Sequence, residues 1–234
     1  MPDNLQDRID RFLHHLQTER RLSENTRKGY RRDLAELRTF CEAGGTGRWQ
    51  DLDTHGVRRF AAQAHRRGLG GRSIQRRLSA VRSFYNYLLR ESLASHNPAH
   101  DVSAPKTESR LPDTLNVDDM SRLLDVQKQD ALLIRDAAML ELMYASGLRV
   151  SEIIALTLDQ VSMHRGLVRL VGKGDKERLV PMGESAQECL QRYLQEARME
   201  LLKARQSRAV FVTARGTAMT RQAYWYMIKR YAAK

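Results

Sequence analysis

The stretch ELMYASGLRVSEIIAL, Glu141–Leu156, is apolar almost throughout, yet it carries Arg149 near its centre. Gly147 predicts a left-handed end to one helix, and Ser151 is the expected cap of the next, with Glu152 in its first turn. A buried, unpaired charge is costly. Three partners are therefore open for Arg149: carbonyl oxygens at the end of the first helix, the Glu152 carboxylate, or an anion such as phosphate that arrives from outside.

The residues that follow change from a helical to a strand-like pattern. In GLVRLVGKGDKERLVPMG, residues 166–183, two β-rich runs, Leu167–Val171 and Arg178–Met182, predict a hairpin with Gly172 in its turn. Lys173 at its tip is either an ordinary exposed lysine or a group that reaches a substrate, where it can donate a proton to a leaving oxygen. AVFVT, residues 209–213, is interpreted as a further short strand.

Before this region the sequence predicts a domain made of helices alone. Four amphipathic segments follow one another between residues 5 and 92, and Ser23 is the expected N-cap of the second. Pro98, Pro105 and Pro112 then mark a stretch with little hydrophobic periodicity. We therefore predict a mostly α protein of two domains: a four-helix domain over residues 1–96, a linker over 97–113, and part of an α+β domain with a small hairpin or sheet over 114–234.

The charge of the chain points to a polyanionic partner. Lys and Arg number 40 against 28 Asp and Glu, which gives a net charge of +12. Residues 1–105 hold 19 of these cations, 18 of them arginine, whose planar fork binds phosphate through two donors. Nucleic acid is the commonest partner of such a chain, and a solvated basic surface is the alternative.

Several of these cations share helix faces that the apolar residues leave open. On the second helix they lie away from the Tyr30, Leu34 and Leu37 face, and on the fourth they lie largely on one side. We expect such helices to approach the DNA backbone and groove. The candidate DNA-binding residues are Arg27, Lys28, Arg31 and Arg32 on the second helix and Arg72, Arg76, Arg77 and Arg82 on the fourth.

Neither the cysteines nor the N-terminus suggests a secreted or membrane protein. Cys41 and Cys189 are far apart in sequence and have no metal-like spacing, so we expect no disulfide and no metal. The first residues show no signal-peptide pattern, and no apolar run approaches the ~18 residues that span a bilayer. A soluble protein of the cytoplasm is the expectation.

These motifs together resemble the tyrosine recombinase (phage integrase) family, in particular its Xer branch. LSENTRKGYRRDL and RLSAVRSFYNYL resemble the DNA-binding domain of that branch. RDAAMLELMYASGLRVSEIIALTLDQV, GKGDKERLVPMG and MTRQAYWYMIKRYA resemble its catalytic domain. The resemblance covers nearly the whole chain, and the spacing of Arg149 and Lys173 agrees with the family.

The resemblance implies site-specific DNA recombination through a covalent 3′-phosphotyrosine, without a cofactor. Arg149 matches the arginine that holds the scissile phosphate, Lys173 the general acid, and Glu152 an acidic residue that orients them. The implied partners are a specific duplex DNA site, a homo- or hetero-tetramer with a partner recombinase, and a DNA translocase activator. The implied role is chromosome dimer resolution before cell division, in association with the nucleoid.

The sequence departs from the family near its end. The family's HxxR motif and nucleophilic tyrosine have no match, since no histidine follows His164. The string HGVR at residues 55–58 is interpreted as coincidence, and Tyr224, Tyr226 and Tyr231 precede the place expected for the nucleophile. The helical pattern also runs to the last residue without a cap. We therefore expect a truncated chain that binds DNA but does not cleave it; a non-catalytic DNA-binding protein, either a degenerate recombinase or a regulator, is the alternative.

Overall fold

The computed structural model describes residues 4–106, 114, 116–124, 130–172 and 176–232 and contains two compact units, Met1–Leu111 and Pro112–Lys234. The two-domain, mostly helical fold predicted from the sequence is confirmed. No helix among the described residues is long and apolar enough to cross a membrane.

The first unit is built from four helices whose apolar faces meet in one core. Its helices are α1 (Leu5–Thr18), α2 (Glu24–Ala43), α3 (Thr54–Arg66) and α4 (Gly71–Arg90), with a short 3-10 turn at Trp49–Asp51. Leu34, Ile74 and Phe84 have no exposed surface and lie in its centre. Ser23 caps α2 as predicted, because its hydroxyl accepts from the Thr26 N–H.

The beginning of the predicted linker is packed against this core. Ala99 and Val102 are buried among the residues of the first unit. The guanidinium of Arg82 on α4 donates to both of their carbonyl oxygens, at 2.8 and 2.5 Å. This part of the predicted linker 97–113 is therefore held to the first unit, and residues 107–113 lie outside the described residues.

The second unit places helices against a small antiparallel sheet. The helices are α5 (Val117–Leu124), α6 (Ala131–Ser146), α7 (Val150–Ala155), α8 (Glu184–Arg192), α9 (Arg198–Leu202) and α10 (Arg221–Ala232); Tyr193–Ala197 forms a π turn between α8 and α9. The strands are β1 (Val161–Ser162), β2 (Leu167–Val171) and β3 (Glu177–Pro181), in the order β1-β2-β3, and 3-10 turns lie at Leu158–Gln160 and Met163–Arg165.

The predicted hairpin is formed by β2 and β3, whose register pairs Leu170 with Arg178 and Val171 with Glu177. The short strand β1 was not predicted, since two residues carry no alternating pattern. The expectation of a strand at residues 209–213 is wrong: this buried segment forms only the isolated bridges Thr157–Ala209 and Val212–Ala218 in the described part of the chain.

A buried carboxylate joins α6 to α10. Asp136 has no exposed surface, and it accepts hydrogen bonds from Arg135, from Arg230 at 2.6 Å and from the Tyr231 hydroxyl at 3.0 Å. Arg135 also donates to the Val212 carbonyl oxygen. A buried charge is tolerated when it is paired and hydrogen-bonded in this way, so the network fixes α10 against the helix that leads to Arg149.

Candidate active site

Arg149 lies at the junction of α6 and α7, where the backbone turns sharply. Gly147 ends α6 with φ +57°, the left-handed conformation predicted for it. Leu148 is buried and anchors the turn, and Arg149 occupies the N-cap position of α7. The prediction that Ser151 caps this helix is wrong, because Arg149 is the N-cap and α7 begins at Val150, two residues before the start that a Ser151 cap would give. The Arg149 side chain is 72% exposed, so no buried charge has to be neutralised.

The partner of Arg149 is Glu152, one of the three possibilities that the sequence left open. One carboxylate oxygen, Oε2, accepts from the Arg149 backbone N–H at 2.9 Å, and the other, Oε1, accepts from Arg149 Nη1 at 3.0 Å. The i,i+3 spacing on a helix start brings the two residues together. Only 13% of the Glu152 side chain is exposed, so the carboxylate is a firm support for a guanidinium that still faces solvent.

A third charged residue, Arg178, belongs to the same cluster and was not predicted as a site residue. Its Nη2 donates to Glu152 Oε2 at 2.9 Å from strand β3. The sequence signal that could have found it is a second basic residue after the glycine-rich turn, within the predicted strand. Two guanidinium groups and one carboxylate give the cluster a net charge of +1, which suits an anionic ligand.

The Glu152 carboxylate is held in its ionised form. Burial alone would raise its pKa, but hydrogen bonds from the Arg149 backbone and from the Arg178 and Arg149 guanidinium groups outweigh burial, and the pKa lies below its ordinary value. The ion pairs are therefore intact at neutral pH.

An open cleft of about 560 Å³ lies beside this cluster. It is lined by Arg149, Ser151, Glu152, Ala155, Gln160, Leu170, Val171, Gly172 and Arg178. Lys173 lies outside the described residues, but its neighbour Gly172 lines the cleft and donates its N–H to the Lys176 carbonyl oxygen at 2.8 Å. Of the two described residues that flank this segment, Gly172 and Lys176, Gly172 lines the cleft.

Two of the three tyrosines near the end of the chain are parts of the core. Tyr224 and Tyr231 are 3% and 8% exposed, whereas Tyr226 is 58% exposed. Burial, with the nearby charge of Asp136, raises the pKa of Tyr224 and of Tyr231 to about 12. Both hydroxyls are therefore shielded and hard to ionise, which is typical of core tyrosines.

The cations predicted on α2 are available at the surface of the first unit. Arg31 and Arg32 are exposed. Lys28 is exposed as well and pairs with Glu24 at 2.7 Å; an ion pair so exposed adds little to stability. Arg27 is partly buried and donates to Gln17 at 2.6 Å. This face of α2 remains a candidate DNA-binding surface.

The arginines predicted on α4 differ from one another. Arg72 is exposed, and Arg76 is 44% exposed while forming an ion pair with Asp33, which has no exposed surface. Arg77 is only 12% exposed; it lies 3.9 Å from Asp33 and over the ring of Phe60. Within the predicted set, Arg77 is therefore mainly a partner of a buried carboxylate.

Arg82, which was predicted to bind DNA, makes internal hydrogen bonds through its guanidinium. As described above, its guanidinium donates to the carbonyl oxygens of Ala99 and Val102. The side-chain amide of Asn97 in turn donates to the backbone carbonyl oxygen of Arg82 at 3.1 Å. The sequence placed Arg82 by its helical position alone, and that position does not reveal which chain segment folds back over it.

Comparison with known proteins gives a consistent result over the whole chain. Residues 113–234 match the phage integrase family, and residues 9–92 match the phage integrase N-terminal SAM-like domain. Tyrosine recombinase XerC of Alcanivorax borkumensis is 42% identical over 96% of this chain and 72% of its own length. Tyrosine recombinase XerD of Shewanella oneidensis is 44% identical over 97% of this chain and 75% of its own.

A solved structure of a lambda integrase tetramer bound to a Holliday junction has a TM-score of 0.73 with this chain. The two sequences are 16% identical, and the match covers 98% of this chain and 63% of the lambda integrase chain. At this identity the likeness concerns the fold alone.

Proposed function

We propose that the cleft binds the scissile phosphate of duplex DNA, since the chain belongs to the phage integrase family and is a tyrosine recombinase of the XerC/XerD type. The comparisons confirm the resemblance found in the sequence motifs, and the roles of individual residues are our proposal. Relatives named XerC and XerD match about equally well, so the proposal is made for the type and for neither member.

The observation that carries the proposal is the exposed guanidinium of Arg149, held by a carboxylate at the edge of the cleft. Such a fixed cation can bind the non-bridging oxygens of a phosphodiester and stabilise the charge that develops on them. Glu152 orients this guanidinium. In the proposed reaction a tyrosine that has lost its hydroxyl proton to solvent bonds through its oxygen to phosphorus, the bond to the 5′-oxygen breaks, and Lys173 gives that leaving oxygen a proton. The phosphotyrosine keeps the energy of the broken ester, so we propose no cofactor.

The first unit would contribute most of the affinity for DNA. Its proposed phosphate contacts are Arg27, Lys28 and Arg31 on α2 and Arg72 on α4, with Arg76 at the edge of this surface because Asp33 shares its charge. Contacts of this kind fix the register of a protein on the duplex and carry little sequence information.

We further propose that the protein works as a tetramer on two duplexes, with copies of itself or with a partner recombinase, in chromosome dimer resolution in the cytoplasm. The tetramer is supported by the solved lambda integrase assembly on a Holliday junction. A DNA translocase is the proposed activator.

The 234-residue chain, tested by itself, should bind DNA without cleaving it. Support comes from the sequence, in which neither the HxxR motif nor the nucleophilic tyrosine of the family has a match. A DNA-binding protein without chemistry is the second candidate, and the same observation favours it. The two candidates differ in whether Arg149 binds a phosphate that reacts or only contributes to affinity for the DNA backbone.

The dependence of DNA affinity on salt tests the proposal. If about six cations contact phosphates, affinity should fall roughly a thousandfold between 50 and 200 mM salt, because each contact releases condensed counterions. Fluorescence anisotropy with a labelled duplex measures this slope. Replacing Arg31 and Arg72 together by Gln should reduce the slope by about 2. The control is Arg192→Gln, which removes a cation paired with Glu196 and should leave the slope unchanged. A flat response of the unsubstituted chain would contradict DNA binding.

A further inference from the structure

Arg178 connects two parts of the cleft that are 26 residues apart in sequence. It lies on β3, opposite Leu170 in the sheet register, and its Nη2 reaches Glu152 on α7 at 2.9 Å. Its side chain is 38% exposed, so it is neither a core residue nor a free surface cation. The cleft wall formed by the sheet is tied to the wall formed by α7 through this contact.

The other end of the same guanidinium lies at the base of the β2–β3 turn. A Cβ atom added at Gly172 would be 3.8 Å from Arg178 Nη1 and 3.3 Å from the Lys176 carbonyl oxygen. The guanidinium therefore lies close to Gly172, beside the hydrogen bond between Gly172 and Lys176 that closes the turn. Arg178 spans from this point to the carboxylate, as a rigid planar group can do and a lysine cannot.

The carboxylate that Arg178 contacts is the one that orients Arg149. Glu152 Oε2 accepts from Arg178 and from the Arg149 backbone N–H, while Oε1 accepts from Arg149 Nη1. With both oxygens engaged, rotation of the carboxylate is restricted. Loss of Arg178 would leave Oε2 with one donor instead of two and loosen the carboxylate, so the Arg149 guanidinium would be held less firmly in its direction.

We propose that Arg178 is a positioning residue, which acts through Glu152 to aim Arg149 at the phosphate and fixes the base of the turn to the same carboxylate. This inference rests on the proposed function, since it takes a DNA phosphate as the ligand of Arg149. Arg178 does not itself contact the phosphate in this scheme. Its effect on DNA affinity should therefore depend on whether Arg149 is present.

The chain offers a matched control on the same hairpin. Arg169 on β2 is 43% exposed, close to the exposure of Arg178, and it pairs with Glu177 at 3.0 Å and with Asp159 at 3.7 Å. Replacing it by Gln removes the same charge from the same hairpin without a contact to Glu152. Any loss of affinity from net charge alone will appear in Arg169→Gln as well.

The test is a double-mutant cycle on DNA affinity at 0.1 M salt, at a temperature where thermal melts show every variant folded. Arg149→Ala should weaken binding about five- to tenfold and reduce the salt slope by about 1. Arg178→Gln should weaken binding about threefold in the original chain and cause no further loss in the Arg149→Ala background. Arg169→Gln should cause the same small loss, below about twofold, in both backgrounds.

Native-state hydrogen exchange without DNA gives a second readout. The Arg149 backbone N–H should exchange faster in Arg178→Gln and at its original rate in Arg169→Gln, because only the first substitution loosens Glu152. If Arg178→Gln does not fold, Arg178→Lys is used instead, since it keeps the positive charge and removes the planar guanidinium with its several donors.

The outcomes separate this inference from the proposed function. Salt-dependent binding with non-additive Arg149 and Arg178 effects supports the inference. Salt-dependent binding with additive effects, or unchanged exchange at Arg149, overturns the inference and leaves the proposed function standing. Absence of salt-dependent binding by the unsubstituted chain overturns the proposed function and this inference with it.

Discussion

Two arginines of α4, five residues apart, should respond in opposite ways to truncation. Arg72 is exposed, whereas Arg77 is 12% exposed and faces Asp33, which is fully buried. We predict that Arg77→Ala lowers the stability of the first unit with little change in DNA affinity. Arg72→Ala should lower DNA affinity with little change in stability.

The magnitude for Arg77 follows from its surroundings. Removing the sole partner of a buried charge costs about 3–5 kcal/mol. Arg76 still pairs with Asp33 after the substitution, and the distance from Arg77 to that carboxylate is 3.9 Å, so the cost should be lower, about 2 kcal/mol. Part of it is the packing of the guanidinium over Phe60, 5.5 Å from the ring centre. For a unit of this size the melting temperature should fall by roughly 10 °C.

Trp49 provides a probe of the first unit alone. The chain has two tryptophans, Trp49 and Trp225, and Trp49 is 4% exposed in the core of the first unit. In a Trp225→Phe background, thermal unfolding followed by tryptophan fluorescence reports this unit. Arg72→Ala should melt within a few degrees of the parent and show a salt slope smaller by about 1. If Arg77→Ala melts like the parent and shows the reduced slope instead, the reasoning from burial is refuted.

The second unit supports two further predictions. The 234-residue chain should form no covalent adduct through Tyr224 or Tyr231 with a nicked suicide duplex on a denaturing gel, because both tyrosines are buried with a pKa of about 12; trapping such an adduct would contradict their structural role. Asp136→Asn should lower the free energy of unfolding in urea by about 3 kcal/mol, since it leaves the buried Arg135 without its carboxylate; a stability equal to the parent would show that Arg135 is adequately solvated.

The sequence was sufficient for features that depend on neighbours along the chain. The apolar residues of α4 recur at helical spacing, which predicts that they share one buried face, and Ile74, Leu78 and Phe84 are all buried. Gly147 was predicted in a left-handed conformation because few other residues adopt it, and the structure has it there. The pairing of Glu152 with Arg149 is also local, since they are three residues apart, but the sequence offered it only as one of three possibilities.

The features that could not be predicted from the sequence are contacts between segments that are distant along the chain. Arg77 and Arg82 carry the same charge as Arg72 on the same helix, and their helical positions alone do not show that Asp33 or the carbonyl oxygens of Ala99 and Val102 lie opposite them. Arg178 reaches Glu152 only because the β2–β3 register sets its side chain toward α7. Each of these contacts requires the packed structure, and none leaves a periodic signal.

The apolar stretch around Arg149 and the charge within it serve the same end. Leu148 and Ile153 are buried on either side and hold the backbone, while the side chain between them points into solvent. An ion pair with a guanidinium so exposed contributes only about 0–1 kcal/mol to stability. The Glu152 contact is therefore explained better by the direction it imposes on the guanidinium than by the energy it adds. A cation whose orientation is fixed before the ligand arrives loses less conformational freedom on binding, and this would strengthen the binding of the proposed phosphate at the cleft.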